Sequence, residues 1–178
     1  ALVPLWGTII LNIVVGIILA FVLPRTRNTP RASHRPTPLS VKDSRVAPHL
    51  IFLFIYFMAI GMIQQTVGWF IEDRYAFVDT AARTAGETAV LYTGIIFSCL
   101  AFSMIVVQFG YIVPRRPDPR KILPIGLGLV AIGYICADTF HPFWAMCVSF
   151  LIAGVGGALA VPSANALGSL SVERHEQG

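Results

Sequence analysis

Charge is scarce in this chain. Asp, Glu, Lys and Arg make up 12% of the 178 residues, about half their share in an average soluble domain. So little charge excludes a disordered chain, which needs high polarity to stay unfolded in water. It also excludes a nucleic-acid module and an ordinary soluble enzyme. Cysteine is scarce too: Cys99, Cys136 and Cys147 lie inside apolar runs at unrelated spacings, which suits neither a disulfide framework nor a metal site. His34, His49, His141 and His175 show no ligand spacing. No cofactor and no metal is expected. The opening ALVPLWGTII has neither an initiator Met nor the basic n-region of a signal peptide, so the chain reads as an internal piece of a longer protein.

What is present is apolar sequence in long runs. Apolar residues make up 56% of the chain, and the mean hydropathy is +0.73. The net charge of +4 resides in the gaps between runs. A helix needs about 20 apolar residues to cross roughly 30 Å of hydrocarbon. Five stretches qualify: 1–23, 48–71, 89–113, 122–137 and 142–167, and none contains Asp, Glu, Lys or Arg. A membrane β-strand is about half as long and alternates in polarity; these runs do not. The fold class is therefore all-α, a polytopic transmembrane bundle embedded in a lipid bilayer, with no nucleic-acid partner.

The charges in the gaps set an orientation. The 24–47 gap carries Arg25, Arg27, Arg31, Arg35, Lys42 and Arg45 against Asp43. The 72–88 gap carries Arg74 and Arg83 against Glu72, Asp73, Asp79 and Glu87. The 114–121 gap carries Arg115, Arg116, Arg120 and Lys121 against Asp118, the 138–141 gap has no Lys or Arg, and the tail has Arg174. Rich and poor gaps alternate, which by the positive-inside rule puts the N-terminus outside and the C-terminus in the cytoplasm. Trp6, Trp69 and Trp144 fall at the ends assigned to the outside, where interfacial Trp is expected. The Pro-rich basic 24–47 segment reads as a cytoplasmic linker between one helix (1–23) and a group of four (48–178).

The last run, LIAGVGGALAVPSANALGSL, places Gly154 with Ala158, and Ala160 with Ala164 and Gly168, at four-residue steps, with Gly157 between them. Such faces let membrane helices approach closely. The run before it carries Gly126, Gly128 and Gly133. Pro162 removes a helix hydrogen bond and should bend the last helix. Static packing and a rocking transporter fit this feature equally well. Polar side chains at membrane depth are costly and need a partner or a wet cavity; here they are Asn12, Gln64, Gln65, Gln108 and Asn165. Gln64 and Gln65 are neighbours, about 100° apart around the helix, and cannot share a face. A proton-coupling acid is not visible inside the runs. Asp138 lies at a helix end and reads as a loop residue.

Three places resemble one family. Leu23-Pro24-Arg25-Thr26-Arg27 resembles the LPET(K/R) ending of the sixth helix in the major facilitator superfamily, with Arg25 in place of the acid. Pro114-Arg115-Arg116-Pro117-Asp118-Pro119-Arg120-Lys121 resembles a degenerate copy of that family's basic turn between helices eight and nine, with Gly110 retained. The stretch from Pro162 to His175-Glu176-Gln177-Gly178 resembles the tenth helix and EEQG turn of drug-exporter-like members, tetracycline pumps among them. The resemblance covers the whole chain as helices six to ten of twelve. It implies two six-helix halves built from inverted repeats around a cavity that opens alternately to each side. It implies that the chain is a piece of a secondary transporter for small molecules, an exporter of drugs or metabolites with protons as coupling ion; the short linker and compact loops point to a bacterial cytoplasmic membrane. Any coupling acid would then lie in the helices before this piece.

On that resemblance Tyr56, Gln64 and Gln65 are candidates for the substrate cavity. Gln108, Pro162, Asn165, Gly154 and Gly157 are candidates for gating or packing. Arg115, Arg116, Arg120 and Lys121, with Glu176, Gln177 and Gly178, form candidate cytoplasmic loop motifs, although positive residues at 115–121 are also what topology alone requires. The alternative is a non-transporting membrane subunit or scaffold in which the glutamines only join helices. An intramembrane enzyme would need paired acids, histidine clusters or a Ser/His pair at depth, and the sequence has none, so the expectation is no enzyme.

Overall fold

The computed structural model describes Ile10, Ile13, Val14 and Ile17, residues 46–81 and residues 83–171. The chain divides into two compact units, Ala1–Arg35 and Pro36–Gly178. In the first unit the four described residues are helical and exposed. The run at 1–23 otherwise lies outside the described residues, as do Trp6, Asn12, the basic residues of 24–45, and Glu176, Gln177 and Gly178.

The second unit holds four helices long and apolar enough to cross a membrane: α1 (Ala47–Tyr75), α2 (Ala85–Arg115), α3 (Pro119–Thr139) and α4 (Phe143–Leu170). No strand occurs among the described residues. Each helix satisfies its own backbone, the condition for an open structure in lipid.

Most helices run beyond their apolar stretches. Helix α1 was expected at 48–71 but continues through Glu72, Asp73, Arg74 and Tyr75. It stops where Ala76 turns left-handed at φ 42°. Its 29 residues span about 43 Å at about 1.5 Å each, more than the hydrocarbon alone. Helix α2 was expected from 89 and begins at Ala85. A reciprocal cap starts it there: the Glu87 amide donates to Thr84 Oγ1 at 3.2 Å, and the Thr84 amide donates to Glu87 Oε2 at 2.9 Å. That pair satisfies amides which would otherwise lack partners. Helix α3 was expected at 122–137 and starts at Pro119, with the Asp118 carboxylate accepting from the Arg120 amide at 3.0 Å. It also takes in Asp138, which is therefore part of the last helical turn and not a loop residue. Charge tolerated at helix ends explains these differences: it is excluded from the hydrocarbon, not from the helix.

Helix α2 widens into a π turn at Gln108–Ile112, where the Val113 amide reaches back to the Gln108 carbonyl. Pro114 follows at once and has no amide to donate. The helix ends at Arg115, and Arg116 after it is left-handed at φ 43°.

Helix α4 is the centre of the unit. Of its most apolar stretch 61% is buried, against 6% for α1. It is hydrogen-bonded as one helix through Pro162 to Leu170. Its small residues divide between two neighbours. Gly156 packs against the α3 backbone at Gly126 and Val130. Gly133 and Gly126 of α3 return the contact: a Cβ on Gly133 would lie 2.7 Å from the Ser149 carbonyl and the Ala153 amide, and one on Gly126 would lie 2.8 Å from backbone of Gly156 and Ala160. Gly154 instead abuts Leu100 and Ser103 of α2. Gly128 meets nothing within 4 Å. The close approach that small residues permit is therefore realised on both sides of α4.

Helix α1 is held differently. It packs on α2 and touches α4 lightly, and no Cα of α1 comes within 8 Å of one in α3. At one end an aromatic cluster joins the unit, with Tyr92 centred 4.3 Å from Phe143 and 4.9 Å from Phe77, and Tyr75 about 6 Å from all three. Arg74 and Tyr75 of α1 bond the end of α3 and the turn after it. The two gaps with few positive residues, 72–88 and 138–141, thus share one end of the bundle. Trp69 and Trp144 are exposed at that same end.

Candidate functional site

The separation of α1 from α3 leaves a chamber, with α4 as its floor and α2 as one wall. Its inner part, about 240 Å³, is lined by apolar side chains and by Tyr56, Gln64 and Tyr134. An adjoining part of about 290 Å³ shares Ile63 and Tyr134 and adds Thr66, Phe70 and Asp138.

Tyr56 is buried on α1, stacked on Phe52 at 6.0 Å and edge-on to Phe57 at 5.8 Å. Its hydroxyl lies over Gly157, 3.4 Å from where a Cβ would stand. Gly157 therefore faces side chains of α1 and α2, and no neighbouring backbone within 4 Å. It makes room for a phenol at the chamber floor. Gln64 lies two turns along α1 on the same lining. Tyr134 approaches from α3, edge-on to Phe150 at 5.8 Å. Among the described residues none of these three polar side chains has a hydrogen-bond partner. The Thr66 hydroxyl, by contrast, already donates to the Met62 carbonyl at 2.9 Å. The chamber is thus an apolar hollow with three polar groups available to a guest, the composition typical of small-molecule sites.

Gln65 is exposed on α1 and does not line the chamber. Gln108 begins the π turn and, with Met104, Gly157 and Pro162, lines a hollow of about 280 Å³ between α2 and α4. Pro162 also borders a hollow of about 400 Å³ at the other end from Arg74, near Arg116 and Pro119. Asn165 is exposed on α4. Arg115, Arg116, Arg120 and Lys121 are exposed around the α2–α3 turn, with the Arg115 guanidinium 5.3 Å from the Tyr111 ring centre. A further hollow, about 800 Å³, is an apolar furrow along α2 at Gly94, Ser98 and Phe102. Ser98 is the polar side chain there whose hydroxyl is already engaged, by the Gly94 carbonyl, so the furrow offers little to position a guest. No group of three or more metal-ligating side chains occurs among the described residues.

Sequence reading missed Tyr134 and Arg74. Tyr134 shares the chamber because α3 is held tightly to α4 through Gly126 and Gly133. The spacing of those glycines, seven residues apart and so on one helical face, was the available signal.

These features define a class: a polytopic α-helical membrane protein whose helices are joined by small residues around an apolar chamber. The family follows from sequence comparison. The family model described as Major Facilitator Superfamily matches residues 2–178. The chain belongs to that family, whose members are membrane transporters and not enzymes. No curated protein and no solved structure matches it.

Proposed function

We propose that this chain is part of a secondary transporter that exports small apolar or amphipathic compounds, drugs or metabolites, by alternating access coupled to protons. The observation that carries this reading is the α1–α3 chamber, apolar throughout except for the unpartnered Tyr56, Gln64 and Tyr134 side chains. An apolar wall takes a greasy solute, and the polar groups orient it. On this reading the end bearing Arg74 and Trp144 faces outward in a bacterial cytoplasmic membrane, and the α2–α3 turn with its four basic residues faces the cytoplasm. The coupling acid belongs to helices outside the described residues.

The test is flux through the full-length protein in proteoliposomes under an imposed pH gradient, with a fluorescent lipophilic amine as probe. Gradient-driven movement is expected. Gln64→Ala should raise the KM roughly 5- to 10-fold, the effect of losing one hydrogen bond worth about 1 kcal/mol. Gln65→Ala should leave it unchanged. Absence of flux under proton and sodium gradients, together with stable co-purification of a partner, would support a non-transporting subunit instead.

A further inference from the structure

Helices α1 and α3, which flank the chamber, are joined by hydrogen bonds only at one end. Arg74 Nη1 donates to the Ala137 carbonyl at 2.9 Å, and Nη2 donates to the Asp138 carbonyl at 2.6 Å. These carbonyls belong to the C-terminal turn of α3, where a cation is favoured by the helix dipole. Nη2 also lies 3.1 Å from His141 Nδ1 in the turn between α3 and α4. The Tyr75 hydroxyl donates to the His141 carbonyl at 3.0 Å. The guanidinium lies 4.9 Å from the ring centre of Phe70, and Phe70, Ala137 and Asp138 all line the adjoining part of the chamber. Arg74 therefore stands at the chamber's mouth at this end.

We infer that Arg74 and His141 form a proton-sensitive latch that holds α1 against the α3–α4 turn and releases when the His141 imidazole is protonated. Guanidinium has donors only, so Nδ1 must accept, and the ring proton must reside on Nε2. The latched state requires a neutral imidazole. Protonation places an N–H on Nδ1, removes the acceptor and sets two cations about one hydrogen-bond length apart. The nitrogen that faces the imidazolium is the one that also holds the Asp138 carbonyl, so the repulsion acts directly on the link to α3.

Other ionisable side chains at this end are Glu72, Asp73 and Tyr75 on α1, Asp79, Arg83 and Glu87 around the start of α2, Tyr92 on α2, and Asp138 on α3. Helix α4 brings none before Cys147. Asp79 accepts from the Ala85 amide at 2.7 Å and Glu87 from the Thr84 amide, so both are committed to the start of α2. Arg74 is the charged group that bonds the ring. Histidine is the side chain that changes charge in the range from about pH 5 to about pH 8. The sign is fixed: the latch is closed at the alkaline end and open at the acid end. Its role in admitting solute rests on the transport reading, whereas its existence does not.

The experiment is pulsed electron–electron distance measurement on the full-length protein in lipid nanodiscs. Spin labels are attached at Asp73→Cys and Thr139→Cys, both exposed sites, after Cys99, Cys136 and Cys147 are changed to Ala. Labels at Val90→Cys and Trp144→Cys, on α2 and α4, serve as the reference pair. On going from about pH 8 to about pH 5, the 73–139 distribution is expected to lengthen and broaden while the reference pair stays fixed. Adding His141→Gln, which keeps an acceptor but no titratable ring, should abolish the change. Adding Arg74→Gln should give the long distribution at both pH values. A 73–139 distance that is the same at both pH values without those two changes overturns the latch, as does a pH response that survives His141→Gln. Flux measured in parallel separates the two ideas: no transport with an intact pH response defeats the transport reading alone.

Discussion

Helix α3 meets α4 and α1 in opposite ways. With α4 it shares a seam where Gly126, Gly133 and Gly156 bring backbone against backbone. Between α1 and α3 there is no backbone approach at all, only a chamber crossed at one end by Arg74. A glycine seam cannot open without losing its whole contact at once. A chamber bridged by a few directional bonds can open by breaking those few. The pair α3–α4 is therefore joined far more closely than α1 is to α3. On the proposed transport reading, α1 is the element expected to move.

The comparison can be broken most forcefully at the seam. Gly133→Leu should abolish folded protein, seen as loss of a monodisperse peak in size-exclusion chromatography, because even a Cβ would sit 2.7 Å from two backbone atoms of α4. Gly133→Ala should cost at least about 1–3 kcal/mol of stability in denaturant titration. Retention of wild-type stability by Gly133→Ala would show that the seam is not closed as described. A smaller effect is expected on the chamber side. Tyr56→Phe should keep the fold and raise transport KM a few-fold, since only the unpartnered hydroxyl is lost. Smaller still is the cap of α2: Thr84→Ala should destabilise by about 0.5–2 kcal/mol, visible as faster hydrogen exchange of the amides at 84–88. The smallest effect belongs to Gly128→Ala, which has open space around it and should shift stability by less than about 1 kcal/mol.

Much of this fold was legible because lipid imposes a simple rule. Apolar runs of spanning length fixed four helices and their order. Their ends were less legible, since the runs stop at the first charge while the helices do not. The Thr84-x-x-Glu87 cap and the Asp118-Pro119 start were local signals for α2 and α3 that hydropathy does not register. The small-residue faces of the last run announced close packing, yet not its division: Gly154 serves α2, Gly156 serves α3, and Gly157 receives the Tyr56 hydroxyl. Which of two adjacent glutamines lines the chamber depends on how α1 is rotated about its axis. That rotation follows from packing on α2 and α4, and sequence position says only that Gln64 and Gln65 must differ. Arg74 and His141 are separated by 67 residues and carry no shared motif, so only the fold brings them together.

The most direct measurement is thiol accessibility at those two glutamines. In the full-length protein with its native cysteines replaced, Gln64→Cys and Gln65→Cys are treated in proteoliposomes with a membrane-impermeant maleimide, with and without a transported amine. The account predicts that Gln64→Cys is labelled and that the amine protects it, while Gln65→Cys shows no protection. Protection at Gln65→Cys, or a Gln64→Cys that is inert under every gradient, would contradict the assignment of the α1–α3 chamber to the transport path.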